Sequence, residues 1–139
     1  MTNVIMYIGV SDKLRFLLGL LSKKLLPHNM RVLIAAADEA EVAKVDNYLW
    51  TAVPGGFVPH VRLEDDAATE TPVLITAGTL ADDFHADTLV SWQHETQSFF
   101  PRFACLIDIV PTEGKDSGRT RYRFYQSHGY QINVHNLDK

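Results

Sequence analysis

Basic and aromatic side chains are concentrated in one short segment near the end of the chain. Its members are Lys115, Arg119, Arg121, Tyr122 and Arg123. In a helix, steps of four residues place Lys115, Arg119 and Arg123 on one face, with Tyr122 beside them. A guanidinium is a planar donor that suits a carboxylate, and a tyrosine ring adds an apolar wall with a polar tip. The combination suits a short acidic peptide that ends in a hydrophobic residue.

The charge of this segment contrasts with that of the whole chain. From Thr112 to Arg123, four basic residues stand against Glu113 and Asp116, whereas the 139-residue chain has a formal net charge of −4. An acidic partner is therefore attracted to one place rather than to the whole surface. Proteins that bind nucleic acid directly are usually basic, so tight phosphate binding is disfavoured. The simpler alternative is a solvated basic helix whose cations lie near its own C-terminus, where they are favourable anyway.

Two aromatic residues form a second candidate site. Trp50 lies at the end of a predicted helix, and Phe57 follows the Gly55-Gly56 break. Aromatic side chains exposed where the chain leaves its regular elements are typical interface anchors. The alternative is that both fold back onto the core.

The familiar catalytic motifs are missing from the sequence. It contains no G-x-x-x-x-G-K-[ST] phosphate loop, no G-x-G-x-x-G turn and no G-x-S-x-G elbow. The tightest histidine pair, His128 and His135, is wider than usual metal-ligand spacings, so we predict no metal and no cofactor. The acids Asp38, Glu39 and Glu41 allow a catalytic role, but they are better explained as acids that stabilise a helix N-terminus.

Apolar runs alternate with helical periodicity along the chain, which predicts the elements that position these residues. Strands are predicted over 4–8, 31–37, 72–77, 88–92, 104–110 and 130–134, with an extended segment at 57–60. Helices are predicted over 12–26 with Ser11 as N-cap, from Asp38 to Trp50, and over 115–128 with Gly129 at C′, besides a helical turn over 98–103.

This order predicts an α/β fold: a single three-layer αβα domain over residues 1–139 with a mostly parallel central sheet, Rossmann-like without a nucleotide site. The first residues lack a basic signal region, and no apolar run approaches the ~20 residues of a membrane span. We therefore expect a cytoplasmic protein with no membrane contact. The single cysteine, Cys105, excludes an intramolecular disulfide and is expected to be a buried small hydrophobe.

Several of these segments, taken in order, resemble a known family. They are Arg31-Val32-Leu33-Ile34-Ala35, Asp38-Glu39, Asp46, Leu49-Trp50, Phe57-Val58-Pro59-His60, Val110-Pro111, Arg119, Arg121-Tyr122-Arg123, Tyr125 and Gly129-Tyr130. The chain is similar here to the chi subunit of bacterial DNA polymerase III. The resemblance begins at Arg31 and weakens across 63–97. The combination of L-W, F-V-P-H and R-x-R-Y-[KR]-x-Y is specific, whereas each motif alone is not.

The resemblance implies a non-enzymatic accessory subunit with two protein partners. One is the acidic, phenylalanine-ended C-terminal tail of single-stranded DNA-binding protein, whose site by motif is Val110, Lys115, Arg119, Tyr122 and Arg123. The other is the psi subunit, which tethers chi to the clamp loader and whose site is Trp50 and Phe57. The resemblance also implies that the same surface can take a helicase in some bacteria. The resemblance implies no direct contact with nucleic acid.

Two other functions are left open by the residues themselves. The α/β pattern allows a nucleotide-dependent enzyme, which binding of a nucleotide at the C-terminal strand ends would favour. The basic helix allows a domain that binds single-stranded nucleic acid, which tight and salt-sensitive binding of bare strands would favour. The missing phosphate motifs argue against the enzyme, and the acidic net charge argues against the nucleic-acid-binding domain. Gly114 and Gly118 are expected to weaken the start of the last helix.

Overall fold

The elements of the fold follow the predicted alternation closely. A computed structural model describes residues 2–25, 30–51, 60–62, 71–77, 87–92 and 103–137. The strands are β1 (Asn3–Val10), β2 (Val32–Ala35), β3 (His60–Arg62), β4 (Val73–Thr76), β5 (Thr88–Ser91), β6 (Cys105–Pro111) and β7 (Ile132–Asn136). The helices are α1 (Lys13–Leu20), continued by a π-helical turn (Leu21–Leu25), α2 (Glu39–Thr51) and α3 (Lys115–Ser127), preceded by a 3₁₀ turn (Thr112–Gly114).

The strands pair into one sheet whose order is β3-β4-β2-β5-β6-β1-β7. Every pairing in the described ranges is parallel. All residues of β2, β4 and β5 are buried, as expected for strands covered on both faces. The predicted α/β class with its mostly parallel sheet is confirmed.

Side-chain alternation along the strands divides the core into two layers. On one face, Ile34 and Ile107 pack with Leu17 of α1 and Val45 of α2. On the other face, a separate cluster contains Met6, Leu33, Leu89, Leu106, Val110 and Tyr125 of α3. Because successive residues of a strand point to opposite faces, β1 and β6 contribute to both layers. Helix α3 is thereby fixed against the β1–β6 part of the sheet.

Local differences from the predictions have simple causes. The N-cap of α1 is Asp12 rather than Ser11, since the Asp12 carboxylate accepts a hydrogen bond from the Arg15 N–H at 3.1 Å. The carboxylate of Asp38 caps α2 as predicted, accepting from the Glu41 N–H at 2.9 Å. The last strand begins two residues later than predicted, because after Gly129, whose φ is +79°, the Tyr130 N–H still donates to the Tyr125 carbonyl oxygen of α3 at 3.1 Å.

Some predictions fall on residues that lie outside the described ranges. They are the extended segment up to Pro59, including Phe57, and most of the helical turn at 98–103. Within the described part of the chain, none of the helices combines the length and hydropathy needed to cross a bilayer. Nor does any group of three or more His, Cys, Asp or Glu side chains in these ranges lie close enough together to hold a metal ion.

Candidate protein-binding groove

Helix α3 and the edge strand β7 form the two walls of an open groove, called the α3 groove below. Its volume is about 600 Å³, within the range of roughly 300–1,000 Å³ typical of ligand sites. It is lined by Ile8, Val110, Lys115, Gly118, Arg119, Tyr122, Arg123, Gln126, Val134 and Asn136. The five residues predicted to bind an acidic tail all belong to this lining. Their role in binding stays a prediction.

The depth of the α3 groove depends on close packing between α3 and β6. Gly118 is buried on the inner face of α3, directly over Val110. A Cβ atom at position 118 would lie only 2.6 Å from Cγ1 of Val110, which is far inside van der Waals contact. Gly118 therefore has two effects. It lowers the stability of the helix, as expected, but it also lets the helix approach the sheet closely.

A buried polar cluster holds the inner face of α3 to the centre of β6. The Arg121 guanidinium donates to both carboxylate oxygens of Asp108, from Nε at 2.7 Å and from Nη2 at 2.9 Å. The Tyr125 hydroxyl donates to the same carboxylate at 2.8 Å, and Arg121 Nη1 donates to the Ser117 hydroxyl at 2.6 Å. Asp108, Arg121 and Tyr125 are all buried, so this fully bonded cluster is a structural anchor.

This cluster corrects the predicted charge of the surface. Arg121 does not belong to the open basic face, because its charge is balanced inside the protein by Asp108. The cations that line the α3 groove are Lys115, Arg119 and Arg123. The motif R-x-R-Y-[KR]-x-Y thus divides between two faces of the helix.

Of the three groove cations, Arg119 and Arg123 are exposed and Lys115 is half-buried, and Arg119 has an acidic neighbour. Arg119 Nη1 lies 3.0 Å from Oδ1 of Asp116, with 66% of the Arg119 side chain and all of the Asp116 side chain exposed. An exposed ion pair between residues three apart is weak and screened by salt. Asp116 therefore competes with an incoming carboxylate only weakly, and Arg119 can still bind an anion.

The apolar part of the groove comes from four different elements. Val110 is only 1% exposed and forms the floor, Tyr122 is half-buried on α3, and Val134 on β7 is 46% exposed. Ile8 of β1 completes this lining. Sequence reasoning missed Ile8 and Val134, as well as Gln126 and Asn136. The sequence offered one signal for Val134, because it is an apolar residue at a solvent-facing position of the last strand.

Trp50 marks a second exposed aromatic surface at the end of α2. Trp50 is 52% exposed, so the alternative that it folds back onto the core is not met. The indole packs against the His60 ring at 4.9 Å between centroids. His60 is fixed in turn by Asp46, whose Oδ1 and carbonyl oxygen lie 3.0 Å and 3.2 Å from Nε2. The other residue predicted for this surface, Phe57, lies outside the described residues.

A third concave region lies where nucleotides bind in many α/β proteins, at the C-terminal ends of the strands. Its lining contains the carboxylates of Asp12, Asp38, Glu41 and Glu113 beside Lys13 and Lys44. Four carboxylates against two ammonium groups repel a phosphate chain rather than attract it. This lining weighs against the nucleotide-dependent alternative.

Lys13 in this region is held in an unusual environment. Its Nζ lies 4.2 Å from the centroid of the buried Trp92 ring and 3.5 Å from the Trp92 carbonyl oxygen. Burial, and next the positive charge of Arg121, lower the pKa of Lys13 to about 8, although Asp108 and Glu41 act in the opposite direction. Burial also raises the pKa of the Cys105 thiol, a partly buried group on β6.

Comparison with known proteins identifies the family to which this chain belongs. The model of a family described as DNA polymerase III chi subunit, HolC, matches residues 1–133. The chain belongs to the chi family. The chi subunit of Pseudomonas aeruginosa is 31% identical over 121 residues, covering 86% of this chain and 83% of that protein. The chi subunit of Escherichia coli is 31% identical over 106 residues, covering 75% and 72% of the two chains.

The family match extends the resemblance noted in the sequence to the first strand and helix. It makes the chain an accessory subunit of a replicative DNA polymerase. Among solved structures, the C-terminal domain of the DEAD-box protein Dbp5 is similar to this chain, with a TM-score of 0.69 and 16% sequence identity. The match covers 100% of this chain and 92% of that domain. That likeness concerns the fold alone, because folds of this type host many unrelated functions.

Proposed function

We propose that this chi-family chain is a non-catalytic adaptor of the cytoplasmic replication machinery, and that its α3 groove binds the C-terminal tail of single-stranded DNA-binding protein. The observation that carries the proposal is the convergence of Val110, Lys115, Arg119, Tyr122 and Arg123 on one groove. An apolar floor beneath a cationic rim complements a tail that combines acidic residues with a terminal phenylalanine.

The position of each side chain in the groove indicates which part of the tail it would bind. Arg119 and Arg123 receive the terminal carboxylate and the acidic side chains, because guanidinium groups bind carboxylates in a planar, two-bonded geometry. Tyr122, Val110 and Val134 receive the phenyl ring, which gains from leaving water. Lys115 adds a further positive charge at the end of the groove near the start of α3.

The proposed contact is small, so its affinity is expected to be modest. A Kd in the micromolar range corresponds to roughly −8 kcal/mol. Raising the salt concentration from about 0.05 M to about 0.5 M is expected to weaken binding, because exposed charges are screened. Several tails on one DNA-bound oligomer would restore avidity through a high effective concentration. The adaptor would then follow coated single strands without contacting the DNA.

Calorimetric titration with a tail peptide of about four residues, ending in a free phenylalanine carboxylate, tests this proposal. Arg119→Ala is expected to weaken binding about tenfold or more, since charge-assisted hydrogen bonds are the strong ones. Lys44→Ala is the matched control, because Lys44 is an exposed cation on α2 and does not line the α3 groove. Equal affinities for wild type and Arg119→Ala would refute the role given to Arg119.

Two modified peptides separate the parts of the groove. Amidation of the terminal carboxylate removes the anion that Arg119 and Arg123 receive, whereas alanine in place of phenylalanine removes the ring that Tyr122 and Val110 receive. Each change is expected to weaken binding by itself. A single-stranded oligonucleotide added in parallel addresses direct nucleic-acid binding. Tighter and more salt-sensitive binding of the oligonucleotide than of the peptide would favour that alternative.

The surface around Trp50 is proposed as the contact for the psi subunit, and through psi for the clamp loader. What supports this is the 52% exposure of a large aromatic side chain held in place by His60, since exposed tryptophans are frequent interface hot spots. Trp50→Ala is expected to abolish co-purification with psi, whereas Phe124→Ala, which removes a 39% exposed ring elsewhere, should not. A helicase that uses the same surface would compete with psi.

A further inference from the structure

A second cationic and aromatic surface lies on the opposite face of the sheet from the α3 groove. It is called the α1 surface here, and its argued members are Tyr7, Arg15, Phe16, Lys23, Lys24 and His135. The Tyr7 ring stacks on His135 at 5.0 Å with 19° between the planes, and contacts Phe16 at 4.9 Å. Lys24 Nζ lies 5.5 Å from the Tyr7 ring centroid, within cation–π range.

The charge of the α1 surface is one-sided. Arg15, Lys23 and Lys24 are exposed, and no carboxylate occurs among the described residues that line this pocket of about 390 Å³. The two lysines lie in the π-helical turn at Leu21–Leu25, a rare conformation that changes the direction of the side chains relative to an α-helix. In a chain of net charge −4, such a local excess of cations favours an anionic ligand.

The α1 surface and the α3 groove share the strand β7. Val134 and Asn136 face the groove, whereas His135 between them faces the α1 surface, as the alternation of a strand requires. In the described sheet, β7 is the terminal strand. A chain that leaves the groove can therefore pass around this edge. An extended chain advances about 3.3 Å per residue and packed layers lie about 10 Å apart, so roughly four to six residues are enough.

We propose that the acidic segment preceding the ring-bearing end of the partner's tail crosses the edge of β7 and docks on the α1 surface. This inference rests on the function proposed for the α3 groove and extends its site to the other face of the sheet. The occupant is an acidic peptide, because an anionic chain bound in the groove brings its next residues to three further cations. A single-stranded nucleic acid is less suited, given the acidic net charge.

Three peptides test the proposal on the full chain. The first has about four residues and stays in the groove, and the second has about twelve, with acidic residues upstream. The third matches the second in length, with glutamine or asparagine in place of the upstream acids. We expect the long acidic peptide to bind about threefold to tenfold tighter than the long neutral one, as a few exposed ion pairs allow.

Charge reversal locates the origin of this gain. Lys23→Glu is expected to remove most of the gain and Lys23→Glu/Lys24→Glu all of it, without changing the affinity of the short peptide. Lys44→Glu is the matched control for the single variant Lys23→Glu, because it changes the net charge equally at an exposed position on α2. A gain that persists unchanged in the double variant would overturn the proposal.

The outcomes separate this proposal from the function on which it rests. If the short peptide binds in an Arg119-dependent way and the long acidic peptide gains nothing, only the docking on the α1 surface is wrong. If the short peptide does not bind at all, the function proposed for the groove fails and this extension fails with it. An oligothymidylate is tested in parallel. If it binds more tightly than the long acidic peptide and its binding depends on Lys23, the α1 surface binds nucleic acid and the proposed peptide docking is wrong.

Discussion

The inner and outer faces of α3 both carry arginine, but the arginine has a different role on each face. On the inner face, Arg121 is buried and its guanidinium bonds Asp108 and Ser117. On the outer face, the Arg119 side chain is 66% exposed and pairs with a fully exposed Asp116. A buried arginine fixes the helix, while an exposed one keeps its donors available. Residue type alone therefore does not distinguish an anchor from a binding residue, because burial decides.

Loss of the inner anchor is expected to have the largest effect. Asp108→Ala leaves the Arg121 guanidinium buried without its partner, which typically costs about 3–5 kcal/mol of unfolding free energy. Urea unfolding followed by circular dichroism measures this loss. The double variant Asp108→Leu/Arg121→Met removes both charges and is expected to be more stable than Asp108→Ala. A cost below about 1 kcal/mol for Asp108→Ala would show that the anchor is dispensable.

Lys13 reports on the same anchor through its titration. Its folded-state pKa of about 8 lies below the ordinary 10.5, so between these values the unfolded chain binds more protons and stability rises with pH. Below pH 8 the full penalty of the buried charge is present. Lys13→Met is therefore expected to raise the unfolding free energy at pH 7 by about 1–3 kcal/mol and to remove this rise.

The comparison with wild type must be made at each pH. The pKa of Cys105 is raised by burial, which gives the opposite slope, because above the ordinary thiol pKa the unfolded state loses its proton first. Since Cys105 is present in both proteins, it cancels in the difference between wild type and Lys13→Met. A difference that stays constant from pH 7 to pH 10.5 would mean that Lys13 is not destabilised by burial.

Gly118 tests how far the outer groove depends on inner packing. Alanine gains helix propensity of about 1 kcal/mol, but its Cβ would lie 2.6 Å from Val110 Cγ1. Because overpacking typically costs about 1–3 kcal/mol, Gly118→Ala is expected to be less stable by about 1 kcal/mol and to bind the short peptide more weakly. Gly118→Ala/Val110→Ala should recover part of the stability. Thermal unfolding that shows Gly118→Ala to be more stable would contradict this packing argument.

The smallest expected effect concerns Asp116 on the outer face. Asp116→Asn removes the carboxylate that pairs with Arg119 and is expected to tighten peptide binding about twofold to threefold, as a weak exposed competitor allows. Glu113→Gln changes the net charge equally and should have less effect. Equal changes for both variants in calorimetry would mean that general charge, rather than the pair with Arg119, is responsible.

Much of this arrangement could be predicted from local sequence patterns. The helical period places residues 115, 119 and 123 together, and the apolar runs predict the buried strands. The role of Arg121 was also accessible, because it shares a helix face with Ser117 and Tyr125, and because Asp108 is a lone carboxylate inside the apolar run of β6. A buried charge of this kind needs a partner.

Contributions that depend on strand order could not be predicted. Ile8 and Val134 meet in the α3 groove only because β1 pairs with β7, and no local period encodes that neighbourhood. The low pKa of Lys13 depends likewise on Trp92 and Arg121, which are brought to it by the folded sheet. Local patterns therefore predict which residues share a face of one element, and tertiary pairing decides which faces meet.

The pairing of the first strand has a consequence for how the chain folds. In β1, Asn3 lies opposite Cys105 of β6 and Val4 lies opposite Ile132 of β7. Strand β1 thus has no partner in the sheet until segments that follow it by about a hundred residues or more have also been synthesised. Closing such a long loop is entropically costly, and sheets built from contacts so distant in sequence form slowly. During translation the apolar residues of β1 are therefore expected to stay unpaired over that interval, which exposes them to aggregation.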